Sequence, residues 1–221
     1  MGAGSGDRQP RGNHGRQAAN EQQQQGWRPL FDGSTTNGWR GYGRDDVPDA
    51  WQVVDGALTL TGSGGDIITV DQFADFELEL EWRISAGGNA GVFYRATEEY
   101  AKIYWSATEY QLLDDASMRQ DDRLTATGSA YALYPAAAGA AKPSGEWNST
   151  RIVARGNHVE HWLNGTRLLE YEYGSADWQA KVKASKFGDW PNYGRARRGH
   201  IGVQGDHGGR LALRNIRIRE L

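Results

Sequence analysis

The stretch FELELEWRI alternates Glu77, Glu79 and Glu81 with Phe76, Leu78, Leu80, Trp82 and Ile84. A period of two is a strand's period, so the three carboxylates form a row on one side, successive members roughly 6.6–6.8 Å apart. Carboxylates separated by roughly 5–9.5 Å are what glycoside hydrolysis uses. On an outer sheet face the same row is a solvated polar stripe. Glu81, beside Trp82 and nearest the GGNAG turn, is the preferred catalytic member.

EYQLLDD places Glu109, Gln111 and Leu113 on one face, with Tyr110, Leu112 and Asp114 on the other until the strand ends. An acceptor beside an amide that both donates and accepts suits a polyhydroxylated ligand, because each sugar hydroxyl does both. In GGNAGVFYR, Gly87 and Gly88 permit a tight turn, and Asn89 sits in the turn or at a site. Tyr94 and Arg95 must take opposite faces of one strand, and an arginine there calls for a carboxylate or a substrate oxygen. Trp147 and Asn148 in SGEWNST read as a core tryptophan with a polar neighbour, or as ligand contacts. QGDHGG offers His207 for proton transfer near neutral pH and Asp206 as a turn stabiliser.

Other chemistries lack their patterns. The chain has no cysteine, which excludes disulfides and thiolate metal sites, and it has neither metal-ligand spacing, a phosphate loop nor a Gly-x-Ser-x-Gly elbow. A net charge of -3 with scattered lysines and arginines, apart from the knot Arg195, Arg197 and Arg198, argues against nucleic acid or an acidic membrane as partner. No apolar run approaches the roughly 20 residues of a membrane span.

The elements that must position these residues are short strands. WQVVDGALTLT reads as a hairpin about Asp55-Gly56, GSGGDIITV leads into another strand, and GNAGVFYRA, TEYQLLD and SAYALY follow. WNSTRIVARGNHVEHWLNGTRLLEYEY reads as three strands turning at Gly156-Asn157 and Asn164-Gly165. SADWQAKVKASKFGDW is the one convincing helix, with Ser175 as N-cap, and the last strands begin near His200. Many short strands and one short late helix predict an all-β protein, an antiparallel β-sandwich or jelly roll. Residues 1–25, rich in Gly, Gln, Asn and Arg, read as a disordered tail or tether, and 26–221 as one domain.

From Gly26 onward the chain resembles the 3-keto-disaccharide hydrolase family, the domain of unknown function 1080. GWRPLFDGSTTNGWRG, WQVVDGALTL, GGDIIT, FELELEWRIS, GNAGVFYR, EYQLLDD, GEWNSTRIVARGNHVEHWLNG and GHIGVQGDHGGRLALRNIRIREL carry the resemblance by their order and spacing. It implies a concanavalin-like sandwich with a concave, sugar-sized cleft, bacterial export to the periplasm or beyond, and cleavage of glycosides already oxidised to a ketone at C3. That ketone acidifies the C2 proton. A base can remove it, the C1 substituent leaves by β-elimination, and water adds to the enone. On matching positions the resemblance points to Glu81, Asn89, Arg95, Glu109, Gln111, Asp114 and His207. It makes His207 or Glu109 the proton-transfer group, and Arg95 or a bound divalent metal ion the polariser of the ketone. Trp147 and Lys142, in the Ala-rich loop before it, are further ligand contacts. The competing reading is a non-catalytic, lectin-like carbohydrate-binding module on the same sandwich, with a structural or adhesion domain behind it. The enzyme reading expects Glu109, Arg95 and His207 to converge in one cleft.

Overall fold

FELELEWRI forms strand β6, Phe76–Ile84, in a computed structural model that describes Met1 and residues 26–118 and 122–221. The tail expected over 1–25 falls, Met1 apart, outside the described residues. Phe76, Leu78, Leu80, Trp82 and Ile84 are all buried, as alternation requires of a half-buried strand.

Strand β6 lies at the middle of an eight-stranded antiparallel sheet. Its other members are β1 (Arg28–Pro29), β3 (Trp51–Val54), β4 (Ala57–Leu60), β9 (Asn148–Arg155), β10 (His158–Leu163), β11 (Thr166–Glu172) and β13 (Leu211–Glu220). They run in the order β11-β10-β9-β6-β13-β4-β3, with β1 on the far half of β13. Two hairpins close as their dipeptides demand. Asp55 and Gly56 take φ of 50° and 76°, and Asn164 and Gly165 take 49° and 84°. Positive φ at both central residues is the type I′ turn, whose twist matches that of the strands it joins.

The second sheet has five strands, β2 (Trp39–Gly41), β5 (Ile67–Phe73), β12 (Gly199–Val203), β7 (Asn89–Ala96) and β8 (Thr108–Leu113), in that spatial order. The main core fills the space between the sheets. Leu58, Leu78, Trp82, Leu213 and Ile218 meet Ile67, Val92, Tyr94, Tyr110, Leu112 and Val203 there. A buried polar thread crosses it: Tyr94 OH lies 2.7 Å from both His161 Nε2 and Tyr171 OH, and His161 Nδ1 lies 2.9 Å from Gly128 O. A smaller cluster of Ile68, Phe93, Ala96, Ile103 and Ala107 covers part of the five-stranded sheet's outer face. That sheet is therefore covered on both sides, and β7 and β8 are buried almost end to end.

Three local expectations change. Helix α1 spans Ala176–Ala184, capped by Ser175 Oγ, which accepts from Trp178 N–H at 3.1 Å. It stops well before Trp190, because Ser185 turns the chain and buries Phe187 against Tyr193. SAYALY is a turn rather than a strand: only isolated bridges join Ala130 to Tyr110 and Tyr134, and Ala132 takes φ of 60°. Tyr94 and Arg95 do not divide between core and solvent, since both are buried. On β7 the register slips between Phe93 and Ala96, and Arg95, at φ 54°, sits in the resulting bulge.

Candidate functional site

Strand registers assemble a polar row on the outer face of the five-stranded sheet. Gln111 on β8 stands opposite Gly91 on β7. Gln204 N–H donates to Gly91 O at 2.9 Å, which carries Gln204 to the next position across. Val203 pairs with Ile67, so Gln204 falls beside Asp66, and Gly205 N–H donates to Asp66 Oδ1 at 3.0 Å. Period two then places Asn89, Gly91 and Phe93 on this side of β7, and Glu109 and Gln111 on this side of β8. Gly91 makes room for the glutamate, since a Cβ there would meet Glu109 Cγ at 2.5 Å and collide with Oε1. The glutamate lies over the glycine, toward the middle of the row.

Glu109 is 6 % exposed, and no protein hydrogen bond reaches its carboxylate among the described residues. Burial pushes its pKa up to about 8; Lys186 opposes the shift, and Asp66 and Asp206 add to it. Asp66 is raised to about 6, first by burial against the Gly205 N–H, then by Asp206, with Lys102 and His207 pulling it back. Around neutral pH one carboxyl is therefore mainly protonated and the other mainly ionised. Environments that push two carboxyls apart in this way assign an acid and a base. Gly91 and Asp66 are two strand spacings apart, about 10 Å, which leaves room for a sugar ring between the carboxyls.

The same face leaves acceptors without donors. Among the described residues, Gln111 Oε1, Gln204 Oε1 and Asp206 Oδ1 are buried with no hydrogen-bond partner, while Gln111 Nε2 donates to Asn89 Oδ1 at 2.9 Å. Buried acceptors are costly unless a ligand or water supplies the donors. Lys186 overhangs this region, its ammonium 4.4 Å from the Tyr131 ring and 5.8 Å from that of Tyr104.

The structure brings Glu109, Gln111 and Asn89 together, sets His207 by Asp206 and Asp66, and takes other candidates elsewhere. His207, exposed at the rim with Nε2 3.9 Å from Asp206 Oδ1, acts on the charge of Asp66. Asp114 is a corner post, accepting from Gly87 N–H at 2.8 Å to hold the turn before β7. Arg95 does not join Glu109 and His207. Its guanidinium donates to Ala74 O at 2.8 Å, Gly156 O at 2.9 Å and Asp75 Oδ1 at 3.1 Å, all structural partners. Glu81 lies on the opposite side of the sandwich, bound by Arg214 Nε at 2.7 Å and Asn215 Nδ2 at 3.1 Å. Glu79 is matched by Arg217 and Glu77 by Arg219 and Arg151, so the acidic row is an ion-pair ladder. Trp147 lies under Arg214, 4.0 Å from ring centre to guanidinium, and Lys142 Nζ donates to Trp147 O at 2.9 Å. Both belong to that far face.

Asp66, Gln204 and Lys186 are the residues that reading motif by motif passes over. Asp66 had a signal: it precedes Ile67 in GGDIIT and shares the parity of the outward Ile68. Among the described residues, one group could hold a metal ion, His158, Glu160 and Glu170, with ligand atoms within 4.8 Å of one another. It lies on β10 and β11 in the other sheet, where burial opposes but Glu172 and Glu160 raise the His158 pKa. Along the Glu109 row no such trio converges among the described residues.

The sequence profile of the 3-keto-alpha-glucoside-1,2-lyase-like domain matches residues 26–219. A 3-keto-disaccharide hydrolase of Bacteroides thetaiotaomicron is 40% identical over 230 residues, covering 89% of this chain and 79% of that protein. The crystal structure of a candidate glycosyl hydrolase from Parabacteroides distasonis superposes with a TM-score of 0.85 at 33% identity, covering 91% of this chain and 96% of that one. A Bacillus subtilis protein of unknown function with a galectin-like fold aligns at a TM-score of 0.52 and 13% identity over 89% of this chain and 90% of its own, a likeness of fold alone.

Proposed function

The chain belongs to the 3-keto-alpha-glucoside-1,2-lyase-like domain family, and from that premise we propose that it cleaves 3-keto-glycosides on the outer face of its five-stranded sheet. The observation that carries this reading is Glu109: a buried carboxyl without a hydrogen bond, held near pKa 8 beside acceptors that await a polyhydroxylated ligand. A residue poised near the working pH is what proton transfer needs.

In this reading Gln111, Gln204 and Asp206 accept hydrogen bonds from substrate hydroxyls. The Asp66 carboxylate takes the C2 proton, made acidic by the C3 ketone. The C1–O bond breaks, C1=C2 forms in conjugation with the ketone, and Glu109 gives its proton to the departing oxygen. Water then adds its hydroxyl to C1 and a proton returns to C2, so the sum is hydrolysis. Lys186, whose charge acts on Glu109, takes the role of polarising the ketone that sequence reasoning offered to Arg95.

The test is turnover of a 3-keto-glucoside and of its unoxidised parent, with and without chelator, in D₂O. Elimination followed by hydration places one solvent deuteron at C2 of the released keto sugar, above the level in product incubated alone. Cleavage of the keto substrate with C2 undeuterated would overturn the elimination route, and equal release from the parent would indicate an ordinary glycosidase. Binding without release from either would favour the lectin-like reading.

A further inference from the structure

On the flank of the sandwich, helix α1 and the segment 188–197 enclose a cavity of about 600 Å³, lined by Trp178, Gln179, Lys183, Trp190, Arg195 and Arg197 among others. This is within the size range of small-ligand sites. Among the described residues, no aspartate or glutamate lines it. Lys183, Arg195 and Arg197 have no ion pair with a carboxylate among the described residues, nor has the adjoining Arg198. By contrast, the arginines of the sheets, Arg40, Arg214, Arg217 and Arg219, each have a glutamate, whereas here three cations converge on one cavity. A concave surface of one sign concentrates ligands of the other, and guanidinium forks match carboxylate and sulfate oxygens in pairs.

The cavity also contains a rigid flat wall. Trp190 stacks on Trp105 at 4.1 Å and 13°, and Tyr100 meets it edge-on at 5.1 Å. These contacts fix the indole, and Trp190 lines the cavity together with Trp178. The C–H face of a pyranose packs on such a surface. A bare anion has no use for the indole, and a neutral sugar has none for three unpaired cations.

We propose that this cavity binds an anionic sugar residue, one bearing a carboxylate or a sulfate ester, as a subsite separate from the Glu109 row. The arginines hold the anionic group and Trp190 the ring. The occupant is a saccharide unit, which a lipid surface or a polypeptide does not supply.

Electrophoresis of the full chain through gels containing polygalacturonate, chondroitin sulfate, neutral dextran or polyglutamate tests this. Retardation is expected with an acidic polysaccharide and not with dextran, and the two acidic gels separate carboxylate from sulfate recognition. Arg195→Gln with Arg197→Gln should weaken the interaction about 10-fold or more, as loss of paired charge-assisted contacts does. Trp190→Ala should weaken it about 5-fold, and Trp190→Leu serves if the alanine variant does not fold. No retardation by either acidic polysaccharide overturns the proposal. So does retardation that polyglutamate matches and Trp190 does not influence, which would mark a plain charge patch. Turnover of a neutral 3-keto-glucoside should be unchanged in the arginine variant, so the failure of this subsite and the failure of the cleavage reading are distinguishable.

Discussion

Glu109 keeps its proton at pH values where most glutamates have lost theirs, because its carboxyl is buried and nothing donates to it. If it is the acid, Glu109→Gln should lower kcat on a 3-keto-glucoside by about 10²–10⁴-fold, the range for removing a general acid. The wild-type rate should rise through about pH 6, as Asp66 ionises, and fall through about pH 8, as Glu109 does. The alkaline limb should vanish in the glutamine variant. Because the two carboxyls interact, the limbs belong to the pair. Gly91→Ala probes the same carboxyl from below. Its Cβ must displace Glu109, so turnover should fall at least about 10-fold, with about 1–3 kcal/mol of overpacking cost read from urea unfolding. Glu109 and Gln111 were legible in EYQLLDD, since two polar residues two apart on an apolar strand share a face. The raised pKa of Glu109 was not, because desolvation depends on what other segments lay over that face.

At the scale of the element, FELELEWRI and LALRNIRIRE explain each other. Strand β13 sets Arg214, Arg217 and Arg219 against Glu81, Glu79 and Glu77, with Trp27 under two of the arginines. The period of two was plain in both stretches, but the β13 partner of each glutamate lies more than 130 residues away. Glu81→Gln should therefore leave turnover within about twofold and cost ~0.5–1 kcal/mol of stability, as exposed pairs do. Arg95 is the opposite case. Strict alternation exposes it or Tyr94, yet a bulge lets the strand bury both. Arg95→Ala takes the guanidinium donor from Ala74 O and Gly156 O and leaves Asp75 Oδ1 only the Gly156 N–H, so it should destabilise by about 2–4 kcal/mol in denaturant titration while kcat of the folded enzyme stays near wild type.

For the whole molecule, buried titrating groups set how stability varies with pH. His161 is held neutral by burial, its pKa lowered to about 4 against a weaker pull from Gly128, so stability is lost as pH falls from 6.5 toward 4. Glu109 and Asp66 work in the other direction. Their folded pKa values are raised, so the unfolded chain gives up those protons first and stability is lost as pH rises toward 8. His161 opposes the two carboxyls between about pH 4.5 and 6.5 but offsets only part of their loss, and above that range His158, whose pKa is raised, adds to the decline. The Tm should therefore decline from about pH 5 toward pH 8, and Glu109→Gln should recover about 1–3 kcal/mol at pH 9 with little change at pH 5. An alkaline decline that persists undiminished in that variant would remove Glu109 as its source. The amino-acid sequence by itself determined what local interactions control: the period-two strands, the Asp55-Gly56 and Asn164-Gly165 turns, the Ser175 cap, and so an antiparallel sandwich. Only the tertiary structure decided which polar face is a site. It neutralised the glutamate row with distant arginines, enclosed Arg95 in a bulge, and carried Asp66 and Gln204 to Glu109 across strands far apart in the chain. Periodicity states which residues share a face; burial and charge pairing arise from segments remote in sequence, and these determine what that face can do.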